Sequence, residues 1–366
     1  MELEILFVIS VLLLSALITS FILPITVWFS LKRGYKNTSL RHDIITGCRC
    51  CRLGGFPMIA STFLSILATC YYAYNIHFAD EYILQYTLSS YNIVAILILF
   101  TTGVLDDIKG VKYNYKLFIQ VVASILIICS GNIMTNLNGV FGIYEIPTAV
   151  GVVLTILIIM LITNAINFID GLDGLAAMIA ISAFTAFGVL FLFIGYFAFT
   201  MISFAMVGGL LTFAYYNIWG VERFKGVKIM MGDCGSIVVG FMLSIMFFKL
   251  WNSTLAEPHS TLSTYTKTIA YTMLAIPCMD AVDVILHRLI TGKSIFLPDK
   301  KHIHHKLLLI GHSQHKALLI LSFMNCGLLI LNLLLTLNIR LELIVIINIG
   351  IWCLLNHFIY NKIHKV

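Results

Sequence analysis

The sequence predicts an all-α, polytopic membrane protein of about eleven transmembrane helices. Of its 366 residues, 60% are hydrophobic and 11% are charged, and the mean hydropathy is +0.98. About a quarter of the residues in a soluble domain are charged, so this composition excludes one. The apolar residues also form runs close to the roughly 20 residues that a helix needs to cross a bilayer.

The apolar runs define the predicted spans in order. They cover about 5–31, 53–76, 91–105, 117–134, 146–163, 174–194, 197–216, 237–251, 268–287, 317–337 and 341–360, with the sixth and seventh divided near Gly195. Several are shorter than a full crossing, which predicts tilted helices or polar helix ends. The first run lacks a small-residue cleavage signal, so we expect it to be retained. No soluble domain or proline-rich linker interrupts the pattern, and residues 1–366 are predicted to form a single integral-membrane domain.

Basic residues determine the predicted orientation of the chain. All but three of the 23 lysines and arginines fall in one alternate set of loops and at the C-terminus; the exceptions are Lys249, Lys267 and Arg340. Because cytoplasmic loops are enriched in Lys and Arg, we expect the N-terminus outside and the C-terminus in the cytoplasm. The net charge of +6 follows mostly from these loops, and it favours membrane lipids, not nucleic acid, as partners.

Ionisable residues at membrane depth are costly and mark functional sites. Asp106 and Asp107 lie at the end of the third span and are followed by Lys109, Lys112 and Lys116. Adjacent carboxylates either bind a divalent cation or raise one another's pKa, although a solvated helix end is the simpler alternative. The neighbouring lysines favour a site that holds phosphate oxygens.

A denser polar segment follows the fifth span. It has the sequence Asn164-Ala-Ile-Asn167-Phe-Ile-Asp170-Gly-Leu-Asp173-Gly-Leu. Polar residues at intervals of three would share one face if the helix continued, and the glycines permit a turn or a close backbone approach. The alternative is a helix end with polar residues. Four polar groups without adjacent basic residues indicate a cation or a ligand rich in hydrogen-bond donors.

Two further motifs carry polar groups on the same predicted side. Met231-Gly-Asp233-Cys-Gly-Ser236 precedes an apolar helix, where Asp233 could ligate a metal or act as a simple N-cap. Mg²⁺ favours oxygen ligands and binds through one or two carboxylates plus substrate phosphates, which suits Asp233 with Asn167. Pro298-Asp-Lys-Lys-His302-Ile-His304-His305 could form a zinc site, a proton donor, a cationic phosphate clamp or a solvated basic loop. Phosphate contact is preferred, because helical zinc-ligand spacing is missing.

These motifs together resemble those of the polyprenyl-phosphate N-acetylhexosamine-1-phosphate transferases, glycosyltransferase family 4. They occur in family order, and the resemblance runs from about Arg41 to His315. The His-x-His-His form is most similar to the undecaprenyl-phosphate N-acetylglucosamine-1-phosphate transferase branch, whereas the muramyl-pentapeptide branch usually has three consecutive histidines. The eleven-span topology and cytoplasmic catalytic loops of the family agree with the charge count.

Two positions depart from the family pattern. The first cytoplasmic loop has Lys36-Asn-Thr-Ser39 in place of the usual Asp-x-Pro. The aromatic residue often found before Met-Gly-Asp is replaced by Met230 or Ile229. If that aromatic residue stacks on uracil, nucleotide affinity or the donor sugar could differ here.

The resemblance implies transfer of a sugar-1-phosphate, foremost N-acetylglucosamine-1-phosphate, from a UDP-N-acetylhexosamine to undecaprenyl phosphate, releasing UMP. Mg²⁺, or Mn²⁺ as an alternative, would be held by Asp233 and Asn167. Asp106 or Asp107 would orient or deprotonate the lipid phosphate. In an alternative two-step scheme, the aspartate itself would attack phosphorus. Asp173 would contact uracil. Further predicted roles are catalytic for Asp170 and His302, and substrate-binding for Lys112, Lys116, Asn164, His304 and His305.

The same resemblance predicts a multi-pass protein of the bacterial cytoplasmic (inner) membrane that initiates a cell-surface polysaccharide such as lipopolysaccharide O-antigen, and it leaves a homodimer open. Another UDP-N-acetylhexosamine, or the donor of phospho-N-acetylmuramoyl-pentapeptide transferase, is the alternative substrate. A cation-coupled transporter is the alternative from another class, since buried acids also line transport pathways. Transporters place such groups near the membrane midplane, often in repeats, and no internal repeat is found in this sequence.

Overall fold

The computed structural model describes residues 2–32, 49–75, 89–224, 226–253, 261–292 and 301–363. Within these ranges the chain forms twelve α-helices and one short two-stranded sheet. In chain order the elements are α1 (Glu2–Lys32), β1 (Arg49–Cys51), α2 (Gly55–Asn75), α3 (Ser90–Lys109), α4 (Tyr113–Cys129), α5 (Thr148–Ile169), α6 (Leu175–Ile194), α7 (Phe197–Arg223), β2 (Val227–Ile229), α8 (Gly232–Trp251), α9 (Thr261–Ile290), α10 (Ile303–Leu309), α11 (Gln314–Leu335) and α12 (Leu341–Ile363).

The predicted all-α, polytopic architecture is confirmed. Ten of the described helices are long and apolar enough to cross a membrane. The remaining predicted span, the fourth at about 117–134, corresponds to α4, which has 17 residues and is shorter than those ten helices. The predicted division near Gly195 is also confirmed, because Gly195 has φ +87° and ends α6.

Helix α8 lies at the centre of the bundle and is almost wholly buried. Its glycines and those of its neighbours allow the helices to approach closely. A Cβ atom on Gly240 would lie 2.8 Å from Cα of Thr163 in α5, and one on Gly103 of α3 would lie 2.6 Å from Cα of Cys234. Small residues permit this kind of contact between helices in a membrane. The ends of α3 and α5 therefore meet the first turn of α8.

The two short strands tie the beginning of α2 to the beginning of α8. β1 and β2 pair in parallel, with Arg49 opposite Val227 and Cys51 opposite Ile229. The backbone N–H groups of Gly54 and Gly55 then donate to the carbonyls of Met230 and Met231 at 3.0 and 2.8 Å. This pairing was not predicted from the sequence. It brings the residue after β1, Arg52, against the turn that precedes α8.

Two sequence features fall outside the described residues. They are the Lys36–Ser39 departure in the first predicted loop and the Pro298 segment that precedes the histidine cluster.

Candidate active site

Asp233 lies in the first turn of α8 and is 8% exposed. The preceding Gly232 has φ +69°, and a Cβ there would collide with the carbonyl oxygen of Arg52. Asp107, which is fully buried, accepts hydrogen bonds from the backbone N–H groups of Asp233 at 3.0 Å and Cys234 at 2.9 Å. These amides have no partner within the helix, so Asp107 caps α8 and fixes the position of Asp233.

Asp106 and Asp233 share one ammonium group. Lys116 Nζ, from α4, donates to Asp233 Oδ2 at 2.6 Å and to Asp106 Oδ2 at 3.3 Å. The other oxygen of Asp106 accepts from the backbone N–H of Val111 at 2.6 Å. Oxygen atoms of Asp106, Asp107 and Asp233 lie within 4.8 Å of one another, close enough to hold a metal ion. The Lys116 ammonium shows that the space between two of these carboxylates accepts a cation.

Asn167 and Arg52 complete the surroundings of Asp233. Asn167 Nδ2 donates to Asp233 Oδ1 at 3.2 Å and to Ser236 Oγ at 2.7 Å. Arg52 Nη2 lies 3.9 Å from Asp233 Oδ1, and its Nε lies 3.8 Å from Asp107 Oδ1. The sequence analysis counted Arg52 only among the loop charges, because nothing in the sequence pairs it with residues more than fifty positions away.

Asn164 lies one helical turn before Asn167 and forms an amide pair with Gln120 of α4. Its Nδ2 donates to Gln120 Oε1 at 2.8 Å, and Gln120 Nε2 donates to its Oδ1 at 3.3 Å. Gln120 is 3% exposed. The pair holds α4 against α5 and so supports the position of Lys116, one turn away from Gln120 on α4.

Asp170 ends α5 and faces the same group of acids. Burial raises its pKa well above the ordinary value, and the negative charges of Asp173, Asp233 and Asp107 raise it further, while Arg52 opposes them. A carboxyl group in this position is held protonated above its usual range. A bound cation or basic substrate group would favour its ionised form.

This environment gives a testable dependence of stability on pH. Because the folded-state pKa of Asp170 is raised, its contribution to stability is fully present below the ordinary aspartate pKa and is lost as pH rises towards the folded value. Between the ordinary pKa and the raised pKa of Asp170, each pH unit lowers the free energy of unfolding by about 1.4 kcal/mol. Asp170→Asn, which cannot ionise, should therefore gain thermal stability relative to the wild type at about pH 7, and less at about pH 4.

The measurement is thermal unfolding of both detergent-solubilised proteins in buffer free of divalent ions. A stability difference that stays the same at both pH values would contradict the raised pKa of Asp170.

Asp173 lies in the turn between α5 and α6 and pairs with a lysine from β2. Its Oδ2 is 3.0 Å from Lys228 Nζ. Asn217 of α7 joins the same turn to the sheet, since its Oδ1 accepts from the backbone N–H of Gly174 and its Nδ2 donates to the carbonyl of Ile229, both at 2.5 Å. Gly174 has φ +79°, a backbone conformation that is costly for any residue with a side chain. The turn is thus held against β2 and α7.

The histidine cluster lies beside Phe168 and Gly171, and His302 is paired with Asp280 of α9. Asp280 Oδ2 is 2.8 Å from His302 Nδ1, and Asp280 Oδ1 accepts from the backbone N–H of Ile303 at 2.7 Å. Both side chains are buried. An ionised carboxylate only accepts hydrogen bonds, so Nδ1 carries the proton and Nε2 remains to meet a substrate. Asp280 is not among the site residues predicted from the sequence.

His304 is fully buried and stacks on His302, with ring centroids 5.7 Å apart. Burial, together with the charges of His305 and His302, lowers the pKa of His304 to about 3. Neither of its ring nitrogens has a hydrogen-bond partner in the described part of the chain, and a Cβ on Gly171 would lie 2.5 Å from its Nε2. His304 is therefore neutral and suits a polar contact with a substrate better than a cationic one.

The structure thus brings together most of the residues that the sequence analysis predicted for the site. His305 packs against His304, with ring centroids 4.1 Å apart. Lys112 precedes α4 and is exposed near Lys116, with no side-chain contact to the acids among the described residues. It is the one predicted site residue that the described structure leaves at the surface.

Comparison with known proteins identifies the family. The model of glycosyl transferase family 4 matches residues 90–250, which span α3 to α8 and include Asp106, Asp170 and Asp233. The chain is 32% identical over 260 residues to the undecaprenyl-phosphate alpha-N-acetylglucosaminyl 1-phosphate transferase of Haemophilus influenzae, covering 70% of this chain and 69% of the relative.

Two more relatives carry the same name. The protein of Pasteurella multocida is 32% identical over 260 residues, with the same 70% and 69% coverage. That of Salmonella typhi is 28% identical over 226 residues, covering 61% of this chain and 59% of the relative. The chain therefore belongs to glycosyl transferase family 4.

Proposed function

We propose that this protein transfers N-acetylglucosamine-1-phosphate from its UDP-sugar to undecaprenyl phosphate and releases UMP. The observation that carries the proposal is the buried group of Asp106, Asp107 and Asp233, bridged by Lys116, at the ends of membrane-spanning helices. An acidic, cation-accepting site at a membrane surface suits the joining of a water-soluble nucleotide to a lipid phosphate. The printed names of the relatives give the same acceptor.

The reaction replaces one phosphoanhydride bond with another. An oxygen of undecaprenyl phosphate forms a bond to the β-phosphorus of the UDP-sugar, and the bond from that phosphorus to the bridging oxygen breaks. The electron pair leaves with UMP. A phosphate monoester is already ionised at neutral pH, so positioning and charge neutralisation contribute more than removal of a proton.

The residues divide these tasks by their contacts. Asp107 has both oxygens bound to backbone amides, so it positions Asp233 and does not contact substrate. Asp106 keeps one oxygen towards Lys116 and is the acid placed to orient the lipid phosphate. Lys116 supplies positive charge to the phosphates, and His302 would donate to them from Nε2 once it takes up a second proton there. Asp173, in the turn after α5, is assigned to the uracil.

The donor set fits a divalent ion. Five carboxyl groups, Asp106, Asp107, Asp170, Asp173 and Asp233, meet three basic side chains, Arg52, Lys116 and Lys228. The formal charge is −1 while Asp170 keeps its proton and −2 when a bound cation favours its ionised form. Asp233, with the side-chain oxygen of Asn167, would hold Mg²⁺, and Mn²⁺ would suit the same oxygen ligands. When bound, the ion would neutralise charge on the leaving UMP. Asn167 already orients the Asp233 carboxylate through its amide.

The proposal also covers the cellular location and the orientation of the enzyme. The site would face the cytoplasm of a bacterial cell, where UDP-sugars are made, with the N-terminus of the chain outside. The product would initiate a cell-surface polysaccharide such as O-antigen. Residues 1–366 would act as one membrane domain.

A donor panel tests this proposal. Purified protein is incubated with undecaprenyl phosphate, Mg²⁺ and one UDP-sugar at a time, including UDP-N-acetylglucosamine, UDP-N-acetylgalactosamine and UDP-N-acetylmuramoyl-pentapeptide, and UMP release is measured. We expect release with UDP-N-acetylglucosamine that stops when Mg²⁺ is removed by a chelator and returns with Mg²⁺ or Mn²⁺. UMP release from another donor alone would keep the reaction and correct the sugar. No release from any donor would contradict the proposed function.

A further inference from the structure

A second polar cavity lies at the end of the bundle opposite the candidate active site. It has a volume of about 770 Å³, within the range of ligand-binding pockets. Its walls come from the segment after α4 and from the beginnings of α9 and α12; they include Asn138, Lys267 and Arg340. Lys267 and Asp280 lie 13 residues apart on α9, or about 20 Å along a helix. The cavity is therefore separate from the acidic site.

Among the described residues, no acid forms an ion pair with Lys267, which lines this cavity. The residue is 7% exposed, and its Nζ donates to Asn138 Oδ1 at 2.6 Å, its only side-chain partner in the described part of the chain. An amide oxygen is neutral, so it does not balance the ammonium charge. A buried charge without an opposite charge is costly. The cost falls when an anion occupies the adjacent space.

The acids that line the cavity do not supply that counter-charge. Glu342 lies 3.7 Å from Arg340 through Oε1 and Nη1 and is paired there. Glu145 is exposed to solvent, and no ion pair joins it to Lys267 among the described residues. The wall that carries Asn138 is also firmly built. Trp251 Nε1 donates to the carbonyl of Asn136 at 2.9 Å, which ties the end of α8 to this loop.

Asn138 itself is held in a fixed conformation. It has φ +52°, in the left-handed region that asparagine tolerates better than most residues, and its backbone N–H donates to Asn136 Oδ1 at 2.6 Å. The loop therefore fixes the backbone from which the Asn138 side chain reaches Lys267. The ammonium and the cavity are arranged before a ligand arrives.

We propose that this cavity binds a phosphate-bearing anion through Lys267, with Arg340 at the rim. Two sources share that chemistry: the headgroup of an anionic phospholipid in the adjacent leaflet, and free inorganic phosphate. The cavity lies where the membrane-spanning helices end, which is the level of lipid headgroups. Binding here requires neither the acidic site nor the proposed transfer reaction.

The test compares wild type with Lys267→Met in detergent, using phosphatidylglycerol in one titration and inorganic phosphate in the other. Binding is followed by native mass spectrometry and by the shift in melting temperature. Lys249→Met is the matched control. Lys249 lies near the C-terminal end of α8, with its Nζ 4.6 Å from the centroid of the Tyr196 ring, and it does not line the cavity. We expect Lys267→Met to weaken binding at least about tenfold and the control to bind like wild type.

Asn138→Asp is a second variant that does not depend on removing the lysine. It places a carboxylate beside Lys267 and should compete with the ligand, so the free protein becomes more stable while anion binding weakens. If both variants lose phosphatidylglycerol binding, the ligand of the cavity is a lipid headgroup. If they lose phosphate binding, the ligand is a soluble anion. If neither probe binds wild type, or if both variants bind as wild type does, the proposal is wrong.

Discussion

Asp233→Asn is expected to lower kcat for UMP release by at least about 10³-fold, the size of effect seen when charge stabilisation is removed from phosphoryl transfer. Asparagine keeps the shape, and its one acceptor oxygen can still accept from either Lys116 or Asn167, but it removes the negative charge that would hold the metal ion. The N-cap contacts from Asp107 reach the backbone of residue 233 and are retained. The variant should therefore fold and bind Mn²⁺ much more weakly.

The matched control for this variant is Asp283→Asn. Asp283 is also an acid near the predicted cytoplasmic end of a span, but its Oδ2 pairs with Lys306 at 2.8 Å, and it is not one of the three acids grouped around Lys116. It should keep turnover within about threefold of wild type, as expected for a partly exposed ion pair of small energetic weight. UMP release by Asp233→Asn close to the control, with normal thermal stability, would remove Asp233 from the metal role.

The helices were predictable because long apolar runs have few other structures available in a membrane. The residues at which these helices end were not predictable. The third run was predicted to stop at about residue 105, yet α3 continues to Lys109 and includes Asp106 and Asp107 in its last turns. Backbone hydrogen bonds extend a helix past the last apolar residue when polar side chains find partners. Those partners, on α4 and α8, belong to distant parts of the sequence.

The composition of the site was largely predictable, but the division of roles within it was not. The sequence placed Asp106 and Asp107 side by side as equivalent acids. In the fold they point to different partners, because one side of α3 faces Lys116 and the other faces the backbone at the start of α8. Neighbouring positions on a helix differ by about 100° in direction, so adjacent residues seldom share a task.

Arg52 and Asp280 show why contacts across the fold escape a single sequence. Arg52 reaches the site because a three-residue strand pairs with Val227–Ile229, and so short a strand has no periodicity to reveal it. Asp280 faces His302 across 22 residues, a contact that no local spacing in the sequence predicts. Its position as an ionisable residue in an apolar helix could have marked Asp280, but only as a candidate without a partner.

His302→Ala is expected to lower kcat about 10²- to 10³-fold, with a smaller change in KM for the donor, as for loss of a positioned acid or charge. His302 presents Nε2 to the site because Asp280 holds Nδ1. Asp280 is accordingly a positioning residue that acts through the imidazole. Asp280→Asn can donate to Nδ1 where the carboxylate accepted, so it favours the opposite tautomer and should also lower kcat, by at least about tenfold.

A double-mutant cycle separates this role from a general effect on folding. Once His302 is alanine, replacing Asp280 by asparagine has no imidazole left to misorient, so the double variant should lose little beyond His302→Ala alone. His315→Ala is the control, because His315 is exposed at the start of α11, and it should retain nearly full turnover. Losses that multiply in the double variant would mean that Asp280 acts independently of His302, through its bond to the backbone of Ile303. Equal losses in the His302 and His315 variants would exclude His302 from the phosphate contact.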